Sequence, residues 1–249
     1  MAKLEGKIAL VTGGNSGIGL ATAELFRQEG AKVIITARSE ETYQKAKKEL
    51  GAKFDIIKTD VRQVSEIAAL MKMIKEKYSK IDVLFANAGV ALFMPTEQIE
   101  EEFFNNHFDT NVRGLYFSVA LAVPLLSNGA SVVLNASAVS GKGLFGSSVY
   151  SATKAAVRSF ARTWTLELAS KGIRFNVLSP GPIETPIYSK LGMSPEQIQA
   201  FATQIQKSTP AGRFGKSEEM AKVALFLASS DSSYVYGADL AADGGFAQI

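Results

Sequence analysis

Tyr150 and Lys154 stand four residues apart in the stretch Tyr150-Ser151-Ala152-Thr153-Lys154. On a helix that spacing raises both side chains from one face, with the ammonium in reach of the phenol. A free tyrosine, with a pKa of about 10, is poorly matched to neutral pH, but a neighbouring cation favours the phenolate and brings the group into a useful range. The pair could then serve as one acid or base for proton transfer. Taken alone, the spacing fits a surface pair on a helix equally well.

Other chemistries are narrowed by what the chain lacks. It has no cysteine and a single histidine, His107. Disulfides, thiolate catalysis and cysteine metal sites are excluded; a Ser-His-Asp triad would have to use His107, and an imidazole metal site has one candidate ligand. His107 reads as structural, on a helix that also carries Phe103, Phe104 and Phe108. No metal site is expected. The net charge of +3 is small, and Lys and Arg are interspersed with Glu, which describes solvated faces rather than a nucleic-acid stripe. The first seven residues mix charges of both signs and nowhere do 18 apolar residues run together, so neither a secretory signal nor a membrane span is expected. The expected location is the cytoplasm.

The elements that must position the pair follow from pattern. At 249 residues, 47% apolar and 20% charged, the chain can bury a large core. Lys7 to Val11 is a short apolar run, followed by Thr12-Gly13-Gly14-Asn15-Ser16-Gly17-Ile18-Gly19, a helix-forming stretch from Leu20 to Glu29, and a β-rich run from Lys32 to Thr36. This is strand, glycine turn, helix, strand. Gly13 permits the tight turn, Gly17 close approach of backbone to a ligand, and Gly19 close packing of helix on strand; the helix N-terminus then offers free N–H groups to a pyrophosphate. An ordinary glycine turn is the alternative.

The beat continues with a helix over 39–50, a strand over 54–59, a helix over 64–78, a strand over 81–85 and a long helix over about 99–126, interrupted or bent near Pro124. A strand over 131–135, a helix over 148–170 and a strand over 173–178 complete it. Strands alternating with helices predict a single-domain α/β fold, a doubly wound (Rossmann-type) parallel sheet covered on both faces. Sites in such sheets lie at the carboxyl ends of strands, where this chain places Thr12 to Gly19, Ala37-Arg38, Asp60-Val61, Asn87-Ala88-Gly89, Ala136-Ser137 and Ser179 to Thr185.

Those residues resemble the short-chain dehydrogenase/reductase family along nearly the whole chain. Thr12 to Gly19 looks like its Thr-Gly-x-x-x-Gly-x-Gly cofactor turn, and Asn87-Ala88-Gly89 matches its Asn-Ala-Gly element. Asn111 matches its structural and catalytic asparagine, Ser137 its serine, Tyr150 to Lys154 its active-site motif, and Asp243-Gly244-Gly245 its usual tail. Two departures are mild: Ala86 and Ala136 stand where Asn and Ser are common. The resemblance implies hydride transfer between a nicotinamide dinucleotide and a small-molecule carbonyl or alcohol. Tyr150 would exchange the proton, Lys154 lower its pKa and reach the nicotinamide ribose, Ser137 hold the substrate oxygen, and Asn111 position a water that relays protons. For Ser137 and Asn111, capping or turn chemistry is the alternative. The cofactor would be held by Gly13, Asn15, Ser16, Gly17, Ile18, Gly19, Arg38, Ser39, Asp60, Val61, Asn87, Ala88, Gly89, Tyr150, Lys154, Pro180, Gly181, Ile183 and Thr185. Two other functions stay open, a 3-oxoacyl carrier-protein reductase, for which Arg113, Arg158 and Arg162 are available, and a dinucleotide-binding regulator on the same fold.

NADP(H) is expected over NAD(H). An NAD site usually presents a carboxylate at the end of the second strand, whereas this chain has Thr36-Ala37-Arg38-Ser39, so Arg38 can pair with a 2′-phosphate and Ser39 can add a donor. Against this, Ser16 stands where many NADP-using relatives carry a second cation, Glu40 and Glu41 follow closely, and Arg38 could instead stack on adenine or cap the next helix. A substrate lid is expected at about 184–215, where Tyr188, Leu191, Met193, Ile198, Phe201 and Ile205 recur at partly helical spacing after a Pro-Gly-Pro hinge; a core helix is the alternative. A homotetramer is expected from the resemblance and from the apolar long helices and the stretch Tyr234 to Ala242.

Overall fold

Strand and helix alternate through the first half, and the order is as follows. β1 (Ile8–Val11), α1 (Gly17–Gln28), β2 (Lys32–Ala37), α2 (Glu40–Leu50), β3 (Asp55–Lys58), α3 (Val64–Tyr78) and β4 (Ile81–Ala86) make the first half. The second comprises α4 (Glu101–His107), α5 (Leu115–Ala122), β5 (Leu126–Asn135), α6 (Ser148–Leu168), β6 (Arg174–Pro180), β7 (Ile183–Glu184), α7 (Pro195–Ser208), β8 (Gly215–Lys216), α8 (Ser217–Ala228) and β9 (Asp239–Ala242). This computed structural model describes residues 2–185 and 195–249.

Seven strands form one sheet in the order β3-β2-β1-β4-β5-β6-β9, every pair parallel. β4 is buried at all six positions, as a strand covered on both faces must be. Because successive side chains point to opposite faces, Leu10, Ile34 and Leu84 meet α3, α5 and α6 through Ile67, Leu70, Val119, Val157 and Trp164. Their neighbours Val11, Ile35 and Phe85 meet α1 and α8 through Ala23, Phe26, Ala224 and Leu225 on the other face. Phe26 and Phe85 are wholly buried, each contributing about 1.5–3 kcal/mol by leaving water. The chain runs outward to β3, then crosses back to β4 beside β1, so the carboxyl ends of β1 and β4 bound the crevice where the strand order reverses.

The long helix expected over 99–126 is four pieces. After α4 the chain takes a π-helical turn over Phe108–Gly114, resumes as α5, and ends in a 3₁₀ turn over Val123–Leu125. Pro124 therefore terminates the helix, and the irregularity lies at the π turn. Its packing explains the place: a Cβ on Gly114 would stand 2.8 Å from Val61 Cγ2, so only glycine lets this turn press on the loop after β3. α8 and the edge strand β9 extend the pattern beyond the elements read from sequence. Of the lid residues, Tyr188, Leu191 and Met193 lie outside the described residues, as do the side chains of Ile198 and Phe201; Ile205 is buried.

Candidate active site

The glycine turn joins β1 to α1 with two residues in the left-handed region, Gly13 at φ 63° and Gly17 at φ 52°, where a side chain is strained. A Cβ on Gly19 would lie 2.4 Å from Gly13 O and 2.6 Å from Asn87 Nδ2, so this glycine seats α1 against the turn and the β4 loop rather than against a strand. Neighbouring side chains fasten the turn. Gly13 N donates to Thr36 Oγ1 at 2.9 Å, Thr12 Oγ1 accepts from Asn87 N at 2.9 Å and Ala88 N at 3.0 Å, and Asn87 Nδ2 donates to Thr12 O at 3.0 Å. Ser16 begins α1 without a side-chain cap, which leaves the first N–H groups and the positive end of the helix facing the cleft.

Across the sheet, α6 carries Tyr150 and Lys154. Lys154 is 4% exposed, and its Nζ donates to Asn135 O at 2.7 Å. Burial lowers its pKa to about 8. Tyr150 behaves oppositely to the expectation that the lysine would lower it: burial pushes the phenol above its ordinary value of 10.0, and the hydrogen bond with Ser137 only partly offsets this. Burial is the larger influence here, and the Lys154 ammonium, directed to the Asn135 carbonyl, stands 5.8 Å from the Tyr150 ring centroid. Ser137 itself is buried at the end of β5.

Asn111 sits in the π turn, fully buried, and does not line the cleft. Its Oδ1 accepts from Val90 N at 2.8 Å, while Nδ2 donates to Val90 O at 2.8 Å and to Thr153 Oγ1 at 3.1 Å. Both amide protons are thus committed, and the side chain holds the β4 loop against α6 one residue before Lys154. A Cβ on Gly89 would come within 3.1 Å of Asn111 Oδ1 and 3.5 Å of Lys154 Nζ, so glycine is what allows this junction.

One cleft of about 530 Å³ collects the rest of the sequence-selected residues. Gly13, Asn15, Ser16, Gly17, Ile18 and Gly19 line it with Arg38, Val61, Asn87, Ala88 and Gly89; Ser137, Tyr150, Lys154, Pro180, Gly181, Ile183 and Thr185 complete that set. Ser39 and Asp60 do not line it. The Ser39 hydroxyl caps α2 by accepting from Thr42 N at 3.2 Å, and the Asp60 carboxylate is gripped by Arg62, with Nη2 at 2.6 Å. Glu40, which could have repelled a phosphate, pairs with Lys58 at 3.0 Å. Arg38 is exposed on the cleft wall and makes no hydrogen bond or ion pair among the described residues.

Several lining residues escaped the sequence reading. Thr59 and Asn135 end strands, so the carboxyl-end rule could have found them; Leu92, Phe93, Leu144 and Phe246 carry no such signal. His107 is structural as read: Leu92 N donates to its Nε2 at 3.2 Å, and its Nδ1 lies 2.8 Å from Phe103 O. Three buried side-chain oxygens on the cleft wall, Thr59 Oγ1, Thr110 Oγ1 and Asn135 Oδ1, lack a hydrogen-bond partner among the described residues. Orphaned polar atoms are rare in folded proteins. Together with the free helix N-terminus and the glycine cradle, they fit a polar phosphate-bearing ligand such as a nicotinamide dinucleotide.

Known proteins resemble this chain in sequence and fold. Residues 13–247 match a family model described as enoyl-(acyl carrier protein) reductase. The 3-oxoacyl-(acyl-carrier-protein) reductase FabG of Thermotoga maritima is 40% identical, covering 98% of each chain, and the NADP-dependent (R)-specific alcohol dehydrogenase of Lentilactobacillus kefiri is 33% identical, also covering 98% of each. The ligand-free aldohexose dehydrogenase of Thermoplasma acidophilum superposes with a TM-score of 0.90 at 30% identity, over 100% of this chain and 96% of that one. The fold and these likenesses define a dinucleotide-fold oxidoreductase. The chain belongs to the short-chain dehydrogenase/reductase family and is an enzyme of that type, which sets aside the regulator alternative.

Proposed function

We propose that the enzyme interconverts a ketone and a secondary alcohol using NADP(H), with Tyr150 as general acid and base. The observation that carries this reading is the junction of Ser137, Tyr150 and Lys154 in the same cleft that the glycine turn lines. When bound, the nicotinamide supplies the two-electron redox chemistry. The turn from Gly13 to Gly19 and the N-terminus of α1 would hold its pyrophosphate, and Arg38 the 2′-phosphate. Ser137 orients the substrate oxygen, and Tyr150 gives it a proton in reduction or takes one in oxidation. Lys154, held by Asn135 O, keeps a positive charge near the phenol below about pH 8. Asn111 acts through position, fixing the start of α6.

Tyr150→Phe removes only the proton-bearing oxygen. Turnover should fall by about 10²–10⁴-fold, the usual worth of a positioned acid, while the dissociation constant for NADPH stays within a few-fold. Nicotinamide absorbance with a panel of ketones and alcohols measures the first and fluorescence titration the second; near-wild-type turnover would sink the mechanism. The 3-oxoacyl carrier-protein reading draws support from the name of the Thermotoga relative. Its expected basic docking surface gains less: Arg158 is paired with Asp239 and Arg113 donates to Arg62 O, which leaves Arg162 as the exposed arginine of the three without a hydrogen bond or ion pair among the described residues.

A homotetramer is the proposed assembly, supported by exposed apolar side chains at Tyr116, Leu166, Tyr234, Tyr236 and Leu240. A sedimentation mass of one chain at micromolar concentration would refute it. Among the described residues no helix is long and apolar enough to cross a membrane, and a cytoplasmic site of action remains part of the proposal.

A further inference from the structure

Beyond Ser137 the cleft wall turns apolar. Phe93, Val139, Leu144, Ile205 and Phe246 line it, and four of them pack with Tyr150 in one cluster. The Phe93 ring meets the Tyr150 ring edge to face, centroids 5.9 Å apart. Phe246 comes from the C-terminal tail and is held as a fixed wall. The Asp243 carboxylate accepts from Gly245 N and Ala247 N, each at 2.9 Å, and Lys142 donates to Phe246 O while its ammonium stands 4.3 Å from the ring centroid.

Charge is distributed just as unevenly. Among the described residues lining the cleft, Arg38 and Lys154 alone are charged. Arg38 stands at the end of β2, and Lys154 is bonded to Asn135 O, so neither is placed for a charge on the substrate's outer substituent. Lys142 does not line the cleft and its ammonium is bonded to Phe246 O behind the ring, so a carboxylate or phosphate carried into this apolar half would leave water without an unbonded counter-ion among the described lining residues. A neighbouring acidic hollow adds a second, independent barrier. This hollow of about 730 Å³ shares Leu92 and Asn106 with the cleft and is lined by Glu100, Glu101, Glu102 and Asp109. Its one cation, Arg62, is bound by Asp60. Glu101 and Glu102 also suit the first turn of α4, where the helix dipole favours acids, but their field still faces an incoming anion.

We propose that the substrate is an uncharged ketone or secondary alcohol whose larger substituent is aliphatic or aromatic and packs on Phe93, Leu144 and Phe246, and that analogues with an anionic group on that substituent are rejected. Phe246 sets the size limit. The proposal rests on the ketone–alcohol reading above and narrows it.

Matched pairs test it: acetophenone against 4-acetylbenzoate, 2-octanone against 7-oxooctanoate, and ethyl acetoacetate against acetoacetate, each assayed for kcat/KM with NADPH in low and high salt. The neutral member should win by about 100-fold or more, the ratio expected when a site leaves a buried polar group unpaired, and the margin should narrow as salt screens the acidic hollow. Leu144→Arg should raise kcat/KM for the carboxylates and lower it for their partners. Phe246→Ala should shift preference from cyclohexanone toward bulkier aryl ketones. Equal or better turnover of the anionic members by the unmutated enzyme overturns the proposal and leaves the ketone reading intact. Turnover of no ketone and no alcohol with either cofactor overturns that reading and this one with it. If Leu144→Arg does not fold, the pair ratios of the unmutated enzyme and the Phe246→Ala shift still decide.

Discussion

Replacing Lys154 by Met should change how the cofactor-free protein's stability depends on pH. Burial lowers the folded-state pKa of Lys154 from 10.5 to about 8, while the unfolded chain keeps the ordinary value. At about 1.4 kcal/mol per pKa unit, holding that charge inside costs the wild type about 3 kcal/mol at neutral pH. The sign follows from proton counting: between about pH 8 and 10.5 the unfolded chain binds the proton and the folded protein has released it, so wild-type stability rises with pH across that window. The Met variant lacks this rise. It also loses the bond to Asn135 O, and an unmet buried carbonyl costs about 1–3 kcal/mol at every pH. The variant should therefore be equal to or slightly more stable than wild type at pH 7, and its relative stability should fall by about 2–3 kcal/mol by pH 10. Tyr150 does not blur the window from below, because its own pKa is raised above 10.0. Urea titrations of both proteins at the two pH values, at fixed protomer concentration and without cofactor, give the difference directly. A stability gap independent of pH would show that Lys154 is not held in a charge-penalising site, and the account of the junction would fail with it.

The remaining expectations concern the cofactor end. Arg38→Asp should lower the ratio of catalytic efficiencies for NADPH over NADH by about 10–100-fold, the worth of one charge-assisted phosphate contact; an unchanged ratio, or NADH preference before mutation, would remove Arg38 from the phosphate site. Gly19→Ala places a methyl 2.4 Å from Gly13 O. It should cost about 1–3 kcal/mol of stability by overpacking and weaken dinucleotide binding more than ketone KM; a thermal melt and a cofactor titration that match wild type would contradict the turn geometry.

The α/β beat was readable because parallel strands covered on both faces are apolar runs, bracketed here by glycine and polar turns, and because the crossover helices carry a 3.6-residue pattern. The π turn at Phe108–Gly114 was not, since an added residue per turn leaves the residue types unchanged and the cause lies in contact of Gly114 with Val61. β9 escaped for a different reason. Asp239–Ala242 is a four-residue, largely exposed edge strand, too short to show a strand pattern, and its parallel partner β6 alone makes it a strand. Phe246 reaches the cleft only because Asp243 folds the tail back, which no local pattern announces. At Arg38-Ser39 the helix cap expected as one alternative for Arg38 is made by Ser39 instead, and Arg38 stays on the cleft wall.

The set read as four catalytic residues also divides, and the division has a physical logic. Ser137, Tyr150 and Lys154 face the cleft, while Asn111 stands behind it. Lys154 has no carboxylate partner among the described residues; its place is set by the Asn135 carbonyl and by the gap that Gly89 leaves. Tyr150 is placed by the helix itself, through its carbonyl, which accepts from Thr153 Oγ1 at 2.7 Å, and Thr153 is in turn tied to Asn111 and Val90. Apart from the Lys154 ammonium itself, none of these positioning bonds involves a titrating group. A salt bridge in the same place would loosen each time the phenol or ammonium changed its proton. Amides, hydroxyls and backbone carbonyls would hold the geometry constant while charge moves through it, which is what the proposed proton exchange at Tyr150 requires.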